Sequence, residues 1–177
     1  LYQFHYPKIV DGKKAVQVMF NLNLASAKAI RAYREMGCNK EGGQIGIVLN
    51  LTPAYPRSNS EEDMKASKIA DSYFNTSFLD PAVKGRFPEI LVEILEKDKV
   101  IWEATEEELE IIKNNTVDFL GVNYYQPRRV KAKESEIDRS KGWMPDEYFD
   151  NYEMPGRRMN PYRGWEIYPQ CMYDIAI

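Results

Sequence analysis

Two short apolar runs limit what this chain can fold into. "IGIVL" at 45–49 closes on Asn50 and two prolines, and "FLGV" at 119–122 closes on Asn123 and two tyrosines. Both have the length and β-branched content of covered strands. No two-residue hairpin turn follows the first run. The long stretch between them has helical spacing, and strands joined by such a crossover pair parallel. The order helix, strand, helices, strand therefore predicts an α/β fold. Its strands fall at about 45–50 and 117–124, with helices on one side only.

The helix signals are local and specific. Asp11 caps a long helix whose stripe reads Ala15, Val18/Met19, Leu22, Ala25, Ala29, Ala32/Tyr33 and Met36, with Gly37 placed for a left-handed cap. Ser60 with Asp63 opens a second helix carrying Met64, Ile69, Tyr73, Phe74 and Phe78 on its apolar face. A turn is expected at Asp80-Pro81 and another at Gly85, before a short helix from Pro88. Thr105 with Glu108 repeats the capping pattern. From Gln126 to Gly164 there is little periodicity, and the stretch reads as a long loop whose aromatic content argues against disorder. A last helix follows "GWEIYP", with Pro169 suited to its first turn.

Composition removes several function classes. A net charge of -3 with mixed signs gives no field that would draw nucleic acid or an anionic membrane surface. "QPRRVKAK" reads as a solvated loop. No apolar run approaches the roughly 20 residues of a membrane span, and no secretory pattern is present. Cys38 and Cys171 are far apart and read as reduced thiols, which points to the cytoplasm. The single histidine, His5, cannot build a histidine metal site and reads as a loop residue beside a turn proline. The sequence calls for no cofactor. Neither strand leads into a glycine-rich phosphate loop, and there is no serine elbow. Glu61, Glu62 and Glu106–Glu108 lie in first helical turns, where the helix dipole accounts for them. The chain opens without methionine and closes inside a helix, as expected for a segment of something longer.

The tip of the second strand is the feature with chemical content. Side chains alternate along a strand, so Phe119, Gly121, Asn123 and Tyr125 share one face. That face is small and then polar toward its C-terminal end, where parallel α/β folds place ligands. An amide and a phenol there must find partners, and a hydroxyl-rich ligand or a carboxylate would serve. Strand-end capping with a tyrosine packed in the rim is the alternative.

"IGIVLNLTPAYP", "FLDPAVKGRFPE", "DFLGVNYY" and "GWEIYP" together resemble glycoside hydrolase family 1, in that family's order and over the whole chain. "NLNLASAKAI" resembles its 6-phospho-β-glucosidase branch. The resemblance implies part of a (β/α)8 TIM barrel, the middle units only, with about strands five and six and their flanking helices. Residues 1–177 would then be an internal segment of one glycosidase domain, truncated at both ends. The family's two catalytic glutamates sit in Asn-Glu-Pro and Glu-Asn-Gly motifs, and neither tripeptide occurs here, so no catalytic residue is assigned in this chain.

What the resemblance carries over is support for a missing carboxylate. Tyr125 would hydrogen-bond the nucleophile of a retaining hydrolase, and Asn123 would lie beside it in the sugar site. Trp143 and Trp165, in and after the long loop, would offer apolar surfaces to the aglycone, and packing alone accounts for each equally well. The implied partner of the full-length enzyme is a small phosphorylated β-glucoside, with no nucleic acid and no membrane. The chain alone is expected to be inactive and to self-associate through uncovered edges. A non-catalytic α/β binding or interaction domain with barrel-like motifs is the competing expectation.

Overall fold

The computed structural model describes Tyr6 and residues 8–176; His5 lies outside the described residues. The chain divides into two compact units. The first comprises 1–49, 76–121 and 138–144, and the second comprises 50–75, 122–137 and 145–177.

The first unit is built on α1 (Gly12–Glu35), α3 (Ser77–Lys84), α4 (Glu89–Lys97) and α5 (Glu106–Asn114). Asp11 accepts from the Lys14 amide at 3.0 Å, and Gly37 takes the left-handed conformation at φ 77°, as the sequence predicts. The buried face of α1 is not the predicted one. Val16, Phe20, Leu24, Ala27 and Ile30 face inward, while Val18 and Leu22 are more than half exposed. Both faces of this alanine-rich helix carry apolar residues, and the face with the bulky ones wins because burial gain scales with area. Phe20 stacks on Trp102 and Phe87, and Ile111 and Ile112 of α5 close the cluster. Thr105 and Glu108 form the full reciprocal capping box.

The expected turn at Asp80-Pro81 does not occur. The helix runs through Pro81 to Lys84. Proline has no N–H, so the Ser77 carbonyl one turn earlier loses its helical donor. Asn23 of α1, itself buried, donates its amide to that carbonyl at 3.0 Å. A side chain from another helix thus repairs the gap.

β1 (Gly46–Asn50) and β3 (Phe119–Asn123) pair with each other. The Asp118 amide donates to the Ile45 carbonyl at 2.8 Å, and the Leu51 amide to the Asn123 carbonyl at 3.0 Å. Low numbers meet low and high meet high, so the pair is parallel. Val48, Asn50, Phe119 and Asn123 are exposed on one face, whereas Ile47, Leu49, Leu120 and Val122 are half-buried on the other. Glycines on this pair sit opposite large residues. A Cβ on Gly46 would lie 2.4 Å from the Phe119 ring, and one on Gly121 2.9 Å from Val48.

The second unit contains a sheet where the sequence predicts loop. β2 (Ala54–Pro56), β4 (Arg128–Ala132) and β5 (Phe149–Asn151) form a three-stranded sheet in that order, with β2 parallel and β5 antiparallel to β4. "RRVKA" is its central strand, with Val130 fully buried. α2 (Glu61–Asp71) runs into a π-helical turn at Ser72–Thr76, and α6 (Gln170–Ala176) follows Pro169. Met64, expected inside, is 39% exposed; Asp63, Ala66, Ser67, Ile69 and Ala70 form the buried face of α2.

Candidate active site

Asn123 ends β3 and Tyr125 lies two residues beyond it, just past the strand's C-terminal tip. Asn123 is exposed and Tyr125 is 49% exposed. Among the described residues neither the Asn123 side-chain amide nor the Tyr125 hydroxyl has a hydrogen-bond partner, so both are available to another group. Tyr125 leans on Trp165, ring centres 5.2 Å apart at 55°, and the Arg163 guanidinium lies 5.7 Å from the Trp165 ring. This tilted contact packs one side of the phenol ring.

Tyr124 points the other way and anchors the tip. Its hydroxyl donates to the Tyr168 carbonyl at 2.8 Å. Burial pushes its pKa up, helped by the neighbouring Cys171 thiol, so it stays a neutral donor. Tyr55 is raised in the same way by burial, and its hydroxyl donates to the Asp174 carboxylate. Burial also raises the Cys171 thiol, which makes it unreactive rather than nucleophilic. Both cysteines are free.

Below the tip lies a buried ion pair. Arg129 donates from Nε and Nη2 to the two Glu166 oxygens at 3.2 and 2.7 Å. The guanidinium lies 4.9 Å from the Tyr55 ring and 4.6 Å from the Tyr168 ring. Burial works against the Arg129 charge, but Glu166 outweighs it and the guanidinium holds its proton more tightly than usual. Glu166 belongs to a short hairpin that also carries Trp165. The Asn160 amide donates to the Trp165 carbonyl and the Ile167 amide to the Arg158 carbonyl, both at 2.8 Å. The ion pair therefore fixes the strand that presents Trp165 to Tyr125.

The segment after β1 is held from α2 by side chains. Asn75, in the π turn, accepts from the Thr52 amide at 2.8 Å and donates to the Thr52 carbonyl at 3.0 Å. Asp71 accepts from the Ala54 amide at 3.2 Å, and Ser67 donates to the Ala54 carbonyl at 3.0 Å. Asp63, 1% exposed, gathers the Ala132 amide, the Ser58 hydroxyl and Arg57. Those donors, the Ala132 amide foremost, hold its carboxyl below the usual range.

Sequence patterning alone does not single out Asn75, Arg129 or Glu166. The one readable signal was the alternation Val130, Lys131, Ala132, Lys133, which has the period of a strand. Trp143, the other tryptophan offered as an aglycone surface, is held in the first unit, where its indole donates to Asp98 at 2.7 Å. Among the described residues no cluster of three or more His, Cys, Asp or Glu could hold a metal. No helix of the described residues is long and apolar enough to cross a membrane.

Solved structures of the same shape place the chain in a class. It superposes with TM-score 0.81 and 29% identity on virulence factor SghA from Agrobacterium tumefaciens, covering 99% of this chain and 36% of that one. The architecture is that of part of a glycosidase TIM barrel, and the described residues close no barrel. The match to the glycosyl hydrolase family 1 model runs over residues 1–176, and the chain belongs to that family. It is 60% identical over 177 residues to 6-phospho-beta-glucosidase GmuD of Bacillus subtilis, covering 100% of this chain and 37% of that protein. Against beta-glucosidase A of Acetivibrio thermocellus the identity is 33%, covering 98% and 36%. The chain thus spans little more than a third of the relatives it matches.

Proposed function

We propose that these residues are an internal segment of a retaining, cytoplasmic β-glucoside hydrolase that acts on 6-phospho-β-glucosides. The observation that carries the substrate class is the 60% identity to a 6-phospho-beta-glucosidase across the whole chain, against 33% to a plain beta-glucosidase. In this reading Tyr125 donates its hydroxyl to a nucleophilic carboxylate supplied from outside residues 1–177, and Asn123 meets a sugar hydroxyl. The free phenol, packed against Trp165, suits that task. A donated hydrogen bond favours the ionised carboxylate. A retaining mechanism needs this, because its partner about 5–5.5 Å away must stay protonated. Trp165 offers its other surface to the aglycone.

A segment exchange tests the proposal. Residues 1–177 replace the matching stretch of the Bacillus subtilis relative, and the chimera is offered an aryl β-glucoside and its 6-phosphate. Turnover of the phosphorylated glycoside is expected, while residues 1–177 alone turn over neither. Tyr125→Phe in the chimera should lower kcat by about ten- to a hundred-fold through loss of one charge-assisted hydrogen bond. A chimera that folds but prefers the unphosphorylated glycoside would overturn the substrate class. Unchanged kcat in the Tyr125 variant would remove that residue from the mechanism.

A further inference from the structure

The second unit carries a cleft of about 260 Å³, open to solvent, with Gln126, Arg128, Arg129, Asn151, Arg157 and Glu166 among its walls. Its charges do not cancel. Arg129 is matched by Glu166 in the buried two-point pair. Arg157 pairs with Glu153 at 3.2 Å, but the Glu153 side chain is 86% exposed. So solvated a carboxylate contributes little and is readily exchanged for another acceptor. Arg128 has no acidic partner among the described residues, and its Nε is enclosed without any acceptor. Its guanidinium lies 3.7 Å from the centre of the Phe74 ring, which eases the burial of the cation without neutralising it. One positive charge in the walls is therefore unanswered, and a second is answered only at the solvent edge.

We infer that this cleft binds a small oxyanion, a carboxylate or a phosphate monoester. Arg157 exchanges Glu153 for the ligand, and Arg128 supplies the standing positive field. A guanidinium edge matches the two oxygens of such a group with parallel hydrogen bonds. Gln126 and Asn151 add neutral amides, which suit hydroxyls carried on the same ligand. The volume is at the small end for ligand pockets and fits one ring or a bare anion rather than an extended chain. The acid group has two sources, a free anion or a substituent on a sugar.

The experiment is an NMR titration of the isotope-labelled chain at low salt with inorganic phosphate, glucose 6-phosphate, glucuronate and glucose. Saturable shifts are expected at Gln126 and Asn151 with the charged ligands and none with glucose. Arg157→Gln should weaken binding by about tenfold or more with the rest of the spectrum unchanged. That variant leaves the Arg129–Glu166 pair intact, so folding is not at stake. Tyr125→Phe should leave the titration unaltered, which separates this site from the hydrolase proposal. Tighter binding of the acidic sugars than of phosphate identifies a sugar acid, and equal binding identifies a free anion. Absence of saturable shifts with every anion would overturn the assignment, as would an Arg157→Gln chain that binds like the parent or glucose acting like its phosphate.

Discussion

The two units of this chain are held together by different physics. In the first, Phe20, Leu24, Ala27, Ile111 and Ile112 form an apolar cluster extended by Phe87 and Trp102. In the second, buried polar groups hold much of the interior: Asp63, Asn75, Ser72 and Glu166 are all enclosed and all hydrogen-bonded. Apolar packing tolerates changes of pH and salt and punishes changes of volume. A buried polar network does the reverse, because each group left without its partner bears the full cost of desolvation. The candidate site residues lie in the second unit, where geometry is set by directed bonds rather than by shape alone.

The largest expected effect is in the apolar unit. Phe20→Ala removes a fully buried ring that touches two other aromatics, and should cost about 3–5 kcal/mol in urea unfolding. A loss below about 1 kcal/mol would mean that the cluster is not the core of that unit. Next comes Glu166→Leu in the polar unit. It strands the Arg129 charge between two tyrosine rings and should cost about 3 kcal/mol. The double variant Arg129→Met with Glu166→Leu should recover most of that loss. Failure to recover would mean that the pair is needed for its directed bonds, not merely for neutralisation.

Acid should separate the units further. In the second unit Asp63, Glu134, Asp150 and Asp174 are all held below their ordinary range. For Asp150 burial works upward, but the Ser135 hydroxyl, the amides of Glu134 and Ser135, and Lys133 outweigh it. A depressed carboxylate stabilises the fold above its unfolded pKa, and that contribution is lost as pH falls toward the folded one. In the first unit the depressed groups are Asp11, Glu110, Asp118 and Asp138, at a helix cap, a helix surface, a strand end and a loop. Hydrogen-exchange protection factors, corrected for the intrinsic rate at each pH, should therefore fall first in β2, β4 and β5 between pH 6 and pH 3. An equal fall around Phe20 would break the distinction. The smallest effect is local: Thr105→Ala removes one side of the capping box and should cost about 1 kcal/mol by thermal unfolding, with no change near Tyr125.

What was legible in the sequence follows the same division. Strand pairing, the Asp11 and Thr105 caps and the left-handed Gly37 could be read because each is a local choice that the fold respects. The strand ending at Asn123 could be read because its apolar run is short, β-branched and closed by polar residues. The small sheet was missed because its central strand, Arg128–Ala132, has charged residues at most positions. Its stability comes in part from Asp63 and Phe74, which are remote in sequence. The phase of α1 was missed because small apolar residues populate both faces, and only the packed partners distinguish them. The Asn75 clamp depends on the extra residue of the π turn, which shifts helix phase and leaves no compositional mark.

The proline in α3 has a consequence for inheritance. Pro81 leaves one carbonyl in want of a donor, and Asn23 supplies it from another helix. Neither residue has that use without the other. In descendants of this chain the two positions should change together: a lineage that replaces Pro81 frees Asn23 to drift toward an apolar residue, and a lineage that loses Asn23 first should seldom survive with the proline in place. Their substitution histories would be joined although more than fifty residues of sequence separate them.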